Sequence, residues 1–443
     1  MKRKWKEKRR AFCILTAAAM AVTAGCGGEE KKQAGEVEQT NDSLTICVLD
    51  TFQYLYLEEI TVRWKAEYPD IELIYDLVPA DTSEEEEKRV STELMAGNGA
   101  DLYLEPASLG IDVYKAQEAG AWEDLMPWFE AQEDFSEDNY VAGTFDLYDN
   151  TEACYVFPTS VSASLYALYK DKIQELQLNP SSWTDMEGML DALERYYERY
   201  PESSPFIAIE PYTNYLMGYG CNVADGMKNA EILDNPDFKR DMELYKKQAY
   251  PEGVSLVDEP ESFDCIQAKE ELFAGQHNYL GKAFFVIVED YVRMGGEEDA
   301  ELVNMYGADG SKLLGVGNTW AISSSSHNKE NAFRFLQLYM EMEASDPEMV
   351  SGSTDKRVTE EYLRQFREEW MKEELLIEGE VYPGLTEKTF QILEDTYMNG
   401  TAALFQPYTY DILDRLEPYF TGQASYEECA QEAREYLEIY YSE

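Results

Sequence analysis

Short apolar runs alternate with segments of helical period from residue 44 onward, and few architectures accommodate that pattern. Residues 44–49 (LTICVL) are apolar and rich in β-formers, which predicts a buried strand. Leu57, Ile60, Trp64 and Tyr68 then recur at helical spacing until Pro69 ends the run, and residues 71–78 read as a second strand. Residues 84–96 place Val90 and Leu94 on one face, Gly97-Asn98-Gly99 breaks the helix, and residues 101–104 are again strand-like. Strands alternating with helices predict a parallel sheet with βαβ crossovers. Thr184-x-x-Glu187 and Ser425-x-x-Glu428 are capping-box patterns. The first predicts a helix with Met186, Leu190, Leu193 and Tyr197 aligned, and the second aligns Cys429, Ala433, Leu437 and Tyr440.

The segment before this pattern is of another kind. Residues 1–10 carry seven Lys or Arg and a single Glu, and residues 11–24 are uncharged and mostly apolar. A basic segment followed by an apolar one too short to span a bilayer reads as a signal peptide, residues 1–25. It ends Val22-Thr23-Ala24-Gly25-Cys26-Gly27, which resembles the lipobox of bacterial lipoproteins, with Thr23 where Leu is usual. That resemblance implies a diacylglycerol anchor on Cys26, which would hold the chain to the extracytoplasmic face of the cell membrane by lipid alone. An ordinary cleaved signal with an incidental Cys is the alternative. Residues 26–43 are polar and charged and are expected to form a lipidated flexible tether.

Charge and cysteine count exclude several functions. With 88 acidic and 37 basic residues the net charge is -51, so no nucleic-acid partner is expected, because phosphate contacts need a basic face. Five cysteines remain once Cys13 and Cys26 are set aside: Cys47, Cys154, Cys221, Cys265 and Cys429. The number is odd and no pair has CxxC spacing, so neither a disulfide framework nor a zinc site is expected. Neither a metal nor any other cofactor is expected. No GxxxxGK[ST], HExxH or GxSxG occurs, and Gly315-Val316-Gly317 lacks the third glycine of a dinucleotide loop. The two histidines, His277 and His327, read as a turn residue and a residue at a helix start. No enzyme is expected, although so many acids leave open a pair of carboxylates suited to glycoside hydrolysis.

Several motifs in order carry a family resemblance. Residues 64–73 (WKAEYPDIEL), 94–102 (LMAGNGADL) and 118–125 (EAGAWEDL) resemble successive segments of the family-1 extracellular solute-binding proteins. In that family Pro is usual at Ala100 and Leu at Trp122. Tyr155-Val156-Phe157-Pro158, Leu168-Tyr169-Lys170-Asp171 and Ser182-Trp183-Thr184-Asp185 continue the resemblance. So do residues 328–340 (NKENAFRFLQLYM) and 421–428 (TGQASYEE) near the end.

The resemblance implies an α/β, two-lobed periplasmic-binding-protein-like fold of type II, each lobe a mostly parallel sheet flanked by helices. Both lobes would be discontinuous, lobe one at 44–159 and 274–323 and lobe two at 160–273 and 324–443. Solute would lie in the interlobe cleft, with closure by hinge motion. Ligands of open parallel sheets bind beyond the carboxyl ends of strands. The candidate contacts are therefore Asp50, Phe52 and Tyr54 after the first strand, and Glu105 after the third. Tyr212 lies in a later loop, and Trp320 begins a brief strand that follows the short flexible stretch Gly317-Asn318-Thr319. Carboxylates accept from sugar hydroxyls and aromatics stack on pyranose faces, and the chain holds 33 Tyr, 18 Phe and 7 Trp. Each candidate has a plainer reading, Trp320 as a core residue above all. The implied function is delivery of a sugar or oligosaccharide to the permease subunits of an ABC importer, by a monomer. The alternatives are a secreted glycoside hydrolase, or a surface sensor or binding protein for a peptide or polyamine.

Overall fold

The computed structural model of the chain describes residues 43–50, 57–79, 84–147, 153–201, 230–250, 273–274, 291–293, 295–307, 309–345, 352–377, 379–403 and 408–442. It begins with the alternation that the sequence predicts: β1 (Ser43–Leu49), α1 (Leu57–Glu67), β2 (Glu72–Val78), α2 (Glu84–Met95) and β3 (Leu102–Leu104). α1 buries Leu57, Ile60 and Trp64, and the Trp64 indole donates to the Ile71 carbonyl, which fixes the turn into β2. α2 ends at Gly97, whose φ of +71° suits a residue without a Cβ. Two short helices follow, α3 (Val113–Glu118) and α4 (Met126–Glu130). Next come β4 (Phe157–Ala163), β5 (Leu165–Tyr169), α5 (Lys170–Glu175), α6 (Glu187–Arg199) and α7 (Pro236–Ala249). Then come β6 (Phe273–Ala274), β7 (Ala300–Asn304), β8 (Leu313–Ile322), α8 (Lys329–Ser345) and β9 (Gly352–Ser353). The chain closes with α9 (Lys356–Trp370), the hairpin β10 (Glu374–Ile377) and β11 (Glu380–Pro383), α10 (Glu387–Asn399) and β12 (Thr401–Ala403). Its last two helices are α11 (Tyr408–Phe420) and α12 (Tyr426–Ser442).

The larger sheet has the order β2-β1-β3-β8-β4-β9, with β12 also beside β8. β1 runs parallel to β2 and β3, whereas β8 is antiparallel to β3 and β4. The smaller sheet, β6-β5-β7, is antiparallel throughout. The expectation of a mostly parallel sheet in each lobe is thus corrected: parallel pairing holds for the βαβ start and for β8–β12. Elsewhere strands join by routes that reverse direction.

Each sheet has a core on both faces. In lobe one, Leu44, Ile46 and Val48 pack with Trp64, Trp320 and residues of α8, while Cys47, Tyr103 and Ala321 pack with Val90, Leu94 and Val113. In lobe two, Leu165, Ala167 and Leu302 pack on α9 and α10, while Tyr166, Leu168 and Val303 face α6, α7, α11 and α12. The expected lobe boundaries are corrected accordingly. β7 pairs with β5 in the second sheet, so residues 300–304 leave lobe one. α8 packs with α1 on the first sheet, so residues 329–345 leave lobe two. The reason is β8, a second crossover strand whose Leu313 lies in the lobe-two core and whose Trp320 and Ile322 lie in lobe one.

The capping box at Ser425 forms as expected: the Glu428 amide donates to Ser425 Oγ at 3.3 Å and the Ser425 amide to Glu428 Oε2 at 3.0 Å. At α6 the expectation is corrected. Asp185 accepts from the Glu187 amide at 3.1 Å, and the Glu187 side chain turns to Arg240 instead. Both apolar faces are buried as aligned, Met186, Leu190, Leu193 and Tyr197 in one, Cys429, Ala433, Leu437 and Tyr440 in the other. Cys47, Cys154 and Cys429 are free and buried, and burial raises their thiol pKa values.

Candidate functional site: the cleft floor on two crossover strands

β4 and β8 pass between the lobes side by side, with Ser160 opposite Gly317, Val161 opposite Val316 and Ser162 opposite Gly315. Side chains alternate across a strand, so the two faces of this ribbon differ. One carries Val161, Ala163, Leu314 and Val316, all in the core under α9 and α10. On the other, Val156 and Ala321 belong to the lobe-one core at one end, and Leu313 and Ala403 to the lobe-two core at the other. Between those ends the two strands present Pro158, Ser160 and Ser162 opposite Thr319, Gly317 and Gly315. Ser160 is buried, and Ser162 and the two glycines are half-buried. A Cβ on Gly317 would stand 3.0 Å from Ser160 Oγ, whereas one on Gly315 would meet nothing nearer than 4.0 Å. The absent side chains leave the backbone of β8 partly exposed there, with serine hydroxyls alongside.

Glu105 lies where β3 ends against β8. It has a left-handed backbone, φ +53°, and its amide donates to the Thr319 carbonyl at 2.7 Å. Its carboxylate accepts from the Thr319 amide at 2.7 Å, and so takes the place of a ladder carbonyl. Burial pushes the Glu105 carboxyl pKa up, against hydrogen bonds from Thr319 and Asn318 that pull it down. Asn318 is also left-handed, φ +51°. Its Nδ2 donates to Glu343 Oε1 at 2.7 Å, and its carbonyl accepts from Thr159 Oγ1 at 3.4 Å. Glu343 is only 6% exposed, and burial pushes its carboxyl up to about 7, against hydrogen bonds from Thr159, Asn318 and Tyr339. Two left-handed residues, each pinned by a carboxylate, thus shape the backbone where the floor meets lobe one.

The candidates from sequence fare unequally. Asp50 and Glu105 follow the neighbouring parallel strands β1 and β3, and Asp50 is exposed. Glu105 is tied to β8 by its own carboxylate. Trp320 is corrected to a core residue: it is wholly buried, with ring centroids 4.8 Å from Tyr339 and 6.0 Å from Phe335. The cause is the length of β8, a strand of ten residues where a brief one was expected, so Trp320 sits well inside lobe one. Phe52, Tyr54, Tyr212 and Cys26 lie outside the described residues, as does His277. His327 is exposed just before α8. Sequence reasoning missed Ser160, Ser162, Gly315 and Gly317. Their signal was the period-two alternation of SVSAS at 160–164 and GVG at 315–317, small polar residue against apolar. Among the described residues no group of three or more His, Cys, Asp and Glu is placed to hold a metal ion, and no helix is long and apolar enough to cross a membrane.

Comparison with known proteins agrees with this geometry. A search of curated proteins returns no match. Among solved structures, the sugar-binding protein MalE of Xanthomonas citri is similar with a TM-score of 0.58 at 13% identity, over 90% of this chain and 97% of that one. An oligosaccharide periplasmic-binding protein of Synechococcus sp. MITs9220 gives 0.56 at 13% identity, over 90% and 99%. A sugar transporter protein of Rhizobium etli, in an open conformation, gives 0.54 at 14% identity, over 89% and 98%. At such identities these likenesses establish the two-lobed fold. The family model of bacterial extracellular solute-binding proteins matches residues 48–194, so the resemblance read from the sequence holds over that part of the chain, on the fold of the periplasmic binding proteins.

Proposed function

We propose that the chain captures a saccharide between its lobes and delivers it to the permease subunits of an ABC importer, while anchored through Cys26 on the outer face of the cell membrane. The carrying observation is the small, polar face that β4 and β8 present between the two lobe cores, with Ser160 and Ser162 beside Gly315 and Gly317. A sugar offers many hydroxyls and a thin ring. A floor of hydroxyls and bare backbone supplies donors and acceptors without bulk that would hold the ring away. The similar proteins of Xanthomonas citri and Rhizobium etli, named for sugar binding and sugar transport, support this solute class. The chain acts as a carrier, not as an enzyme.

Residues 27–443, screened by thermal shift against maltose, maltotriose, tagatose, spermidine and a tripeptide, test the solute. A ligand that binds only the native state raises apparent stability by RT ln(1 + [L]/Kd), so a saccharide is expected to raise the melting temperature with concentration. A response to spermidine or the tripeptide alone would overturn the sugar reading, and release of reducing ends from maltotriose would make the chain a hydrolase. For the anchor, Cys26→Ala is expected to abolish labelling by a palmitate analogue and to release the protein into the medium. Unchanged labelling would remove it.

A further inference from the structure

The lobes meet again away from the crossover strands. Asp112 is the N-cap of α3 and accepts from the Lys115 amide at 3.0 Å. The same carboxylate accepts the hydroxyl of Tyr440, in the last helix, at 2.9 and 3.0 Å to its two oxygens. The Tyr440 ring lies near-parallel to that of Tyr114, centroids 6.2 Å apart, with Lys115 Nζ 4.9 Å from its centroid. Both tyrosines are 8% exposed.

The two helices are rooted in different cores, and Tyr114 of α3 reaches across into the core of lobe two. Val113 and Ala116 of α3 pack in lobe one, and Cys429, Ala433 and Leu437 of α12 pack in lobe two. Those are the two cores that flank the serine and glycine face of the β4–β8 ribbon. The Tyr440–Asp112 contact therefore bridges the two cores that flank that face. It differs from the core contacts in kind, because both polar partners can be satisfied by water when the lobes part. Opening costs the hydrogen bond and the ring stack but leaves no buried orphan.

We propose that Tyr440 and Asp112, braced by Tyr114 and Lys115, form a latch that sets the ratio of closed to open forms of the unliganded chain. Its consequence for affinity rests on the solute-binding reading above. Solute affinity scales with the fraction of molecules already closed, so the latch tunes it without touching solute. A hydrogen bond to a carboxylate biases such a ratio by about tenfold.

The test is dipolar spectroscopy on the unliganded full-length protein in detergent, with spin labels at Glu130→Cys and Glu432→Cys, both exposed positions in α4 and α12. Tyr440→Phe removes the hydroxyl and keeps the ring. Asp112→Asn keeps a cap for α3 and removes the charge. Both variants are expected to shift the distance distribution toward the longer population, by about tenfold in the ratio for Tyr440→Phe. Distributions that superimpose on wild type overturn the latch, and so does a lowered melting temperature with an unchanged distribution, since that marks a packing contact only. If the distances shift while no saccharide in the panel binds, the latch stands and the sugar reading falls. If maltotriose binds with one affinity in all three proteins and the distances agree, the reverse holds.

Discussion

The two faces of the β4–β8 ribbon share a backbone and a register, yet they hold opposite things. On one, Val161, Ala163, Leu314 and Val316 are sealed under α9 and α10 and join a core that runs on into lobe two. On the other, Ser160, Ser162, Gly315 and Gly317 form a small polar surface between two cores. Because the period of a strand is two, a single residue type placed at alternate positions is enough to make one face structural and the other free for function. The apolar face ties the lobes to their crossover. The small polar face gives up packing area that valines would have supplied, and on the proposed function it is there that solute would lie. Stability and binding should therefore separate by face when residues on the ribbon are changed.

The largest expected effect lies on the face that carries Asn318 and Trp320. Trp320→Ala removes a wholly buried indole between Tyr339 and Phe335 and should cost about 3–5 kcal/mol of folding stability in chemical denaturation. Solute affinity of the folded fraction should not change. A weakened affinity with intact stability would return Trp320 to the cleft and break the comparison between the faces. Next comes Glu343, bonded to the same strand through Asn318. Its folded pKa, about 7, stands above the ordinary 4.5, so the folded state holds the proton more tightly. That contribution to stability is complete below about pH 4.5 and is lost as pH rises through about 7. Glu343→Gln is neutral at every pH and can still accept from Asn318. It should be more stable than wild type at about pH 8, by up to about 3 kcal/mol, with the difference vanishing near pH 4. Urea titrations at the two pH values decide it, and an equal difference at both would deny the burial of the carboxyl its role.

Much of lobe one, and the start of α12 in lobe two, was legible because the signals are local. The spacing of Leu57, Ile60 and Trp64, the break at Gly97 and the cap at Ser425 are all set by neighbours within a few residues, and they appear where the sequence places them. β8 was not legible as a crossover. Gly315, Gly317 and Asn318 are poor strand formers, so the sequence reads as a flexible stretch before a short strand. Tertiary pairing with β3, β4 and β12 overrides that propensity and draws the strand out to ten residues. The same misreading moved Trp320 to the cleft and put α8 in the wrong lobe, since both follow from where β8 begins. That Asp50 and Glu105 follow the ends of β1 and β3 was legible, because those strand ends are set by local signals. The serine and glycine floor needed the partner strand, since neither SVSAS nor GVG says what lies opposite it.

The smallest change in stability, and the sharpest test of the open face, is Gly315→Val. Gly315 has ordinary strand geometry, and a Cβ there would meet nothing nearer than the Ser162 carbonyl and Ser164 Oγ, both at 4.0 Å. Valine fits a pleated strand, and replacing glycine lowers the entropy of the unfolded chain. Folding stability should therefore rise by about 0.5–1 kcal/mol, read from the urea midpoint at constant slope. The two methyl groups would stand over the floor, where a sugar ring has to lie against backbone. Maltotriose, or whichever panel saccharide raises the melting temperature most, should then bind at least about tenfold more weakly, a loss on the scale of one blocked contact. Gain of stability with loss of binding is the signature of a position kept small for solute. A stabilised variant that binds as well as wild type would show this face to have no part in capture. A destabilised one would show that the face is packed after all, and the contrast between the two sides of the ribbon would fail with it.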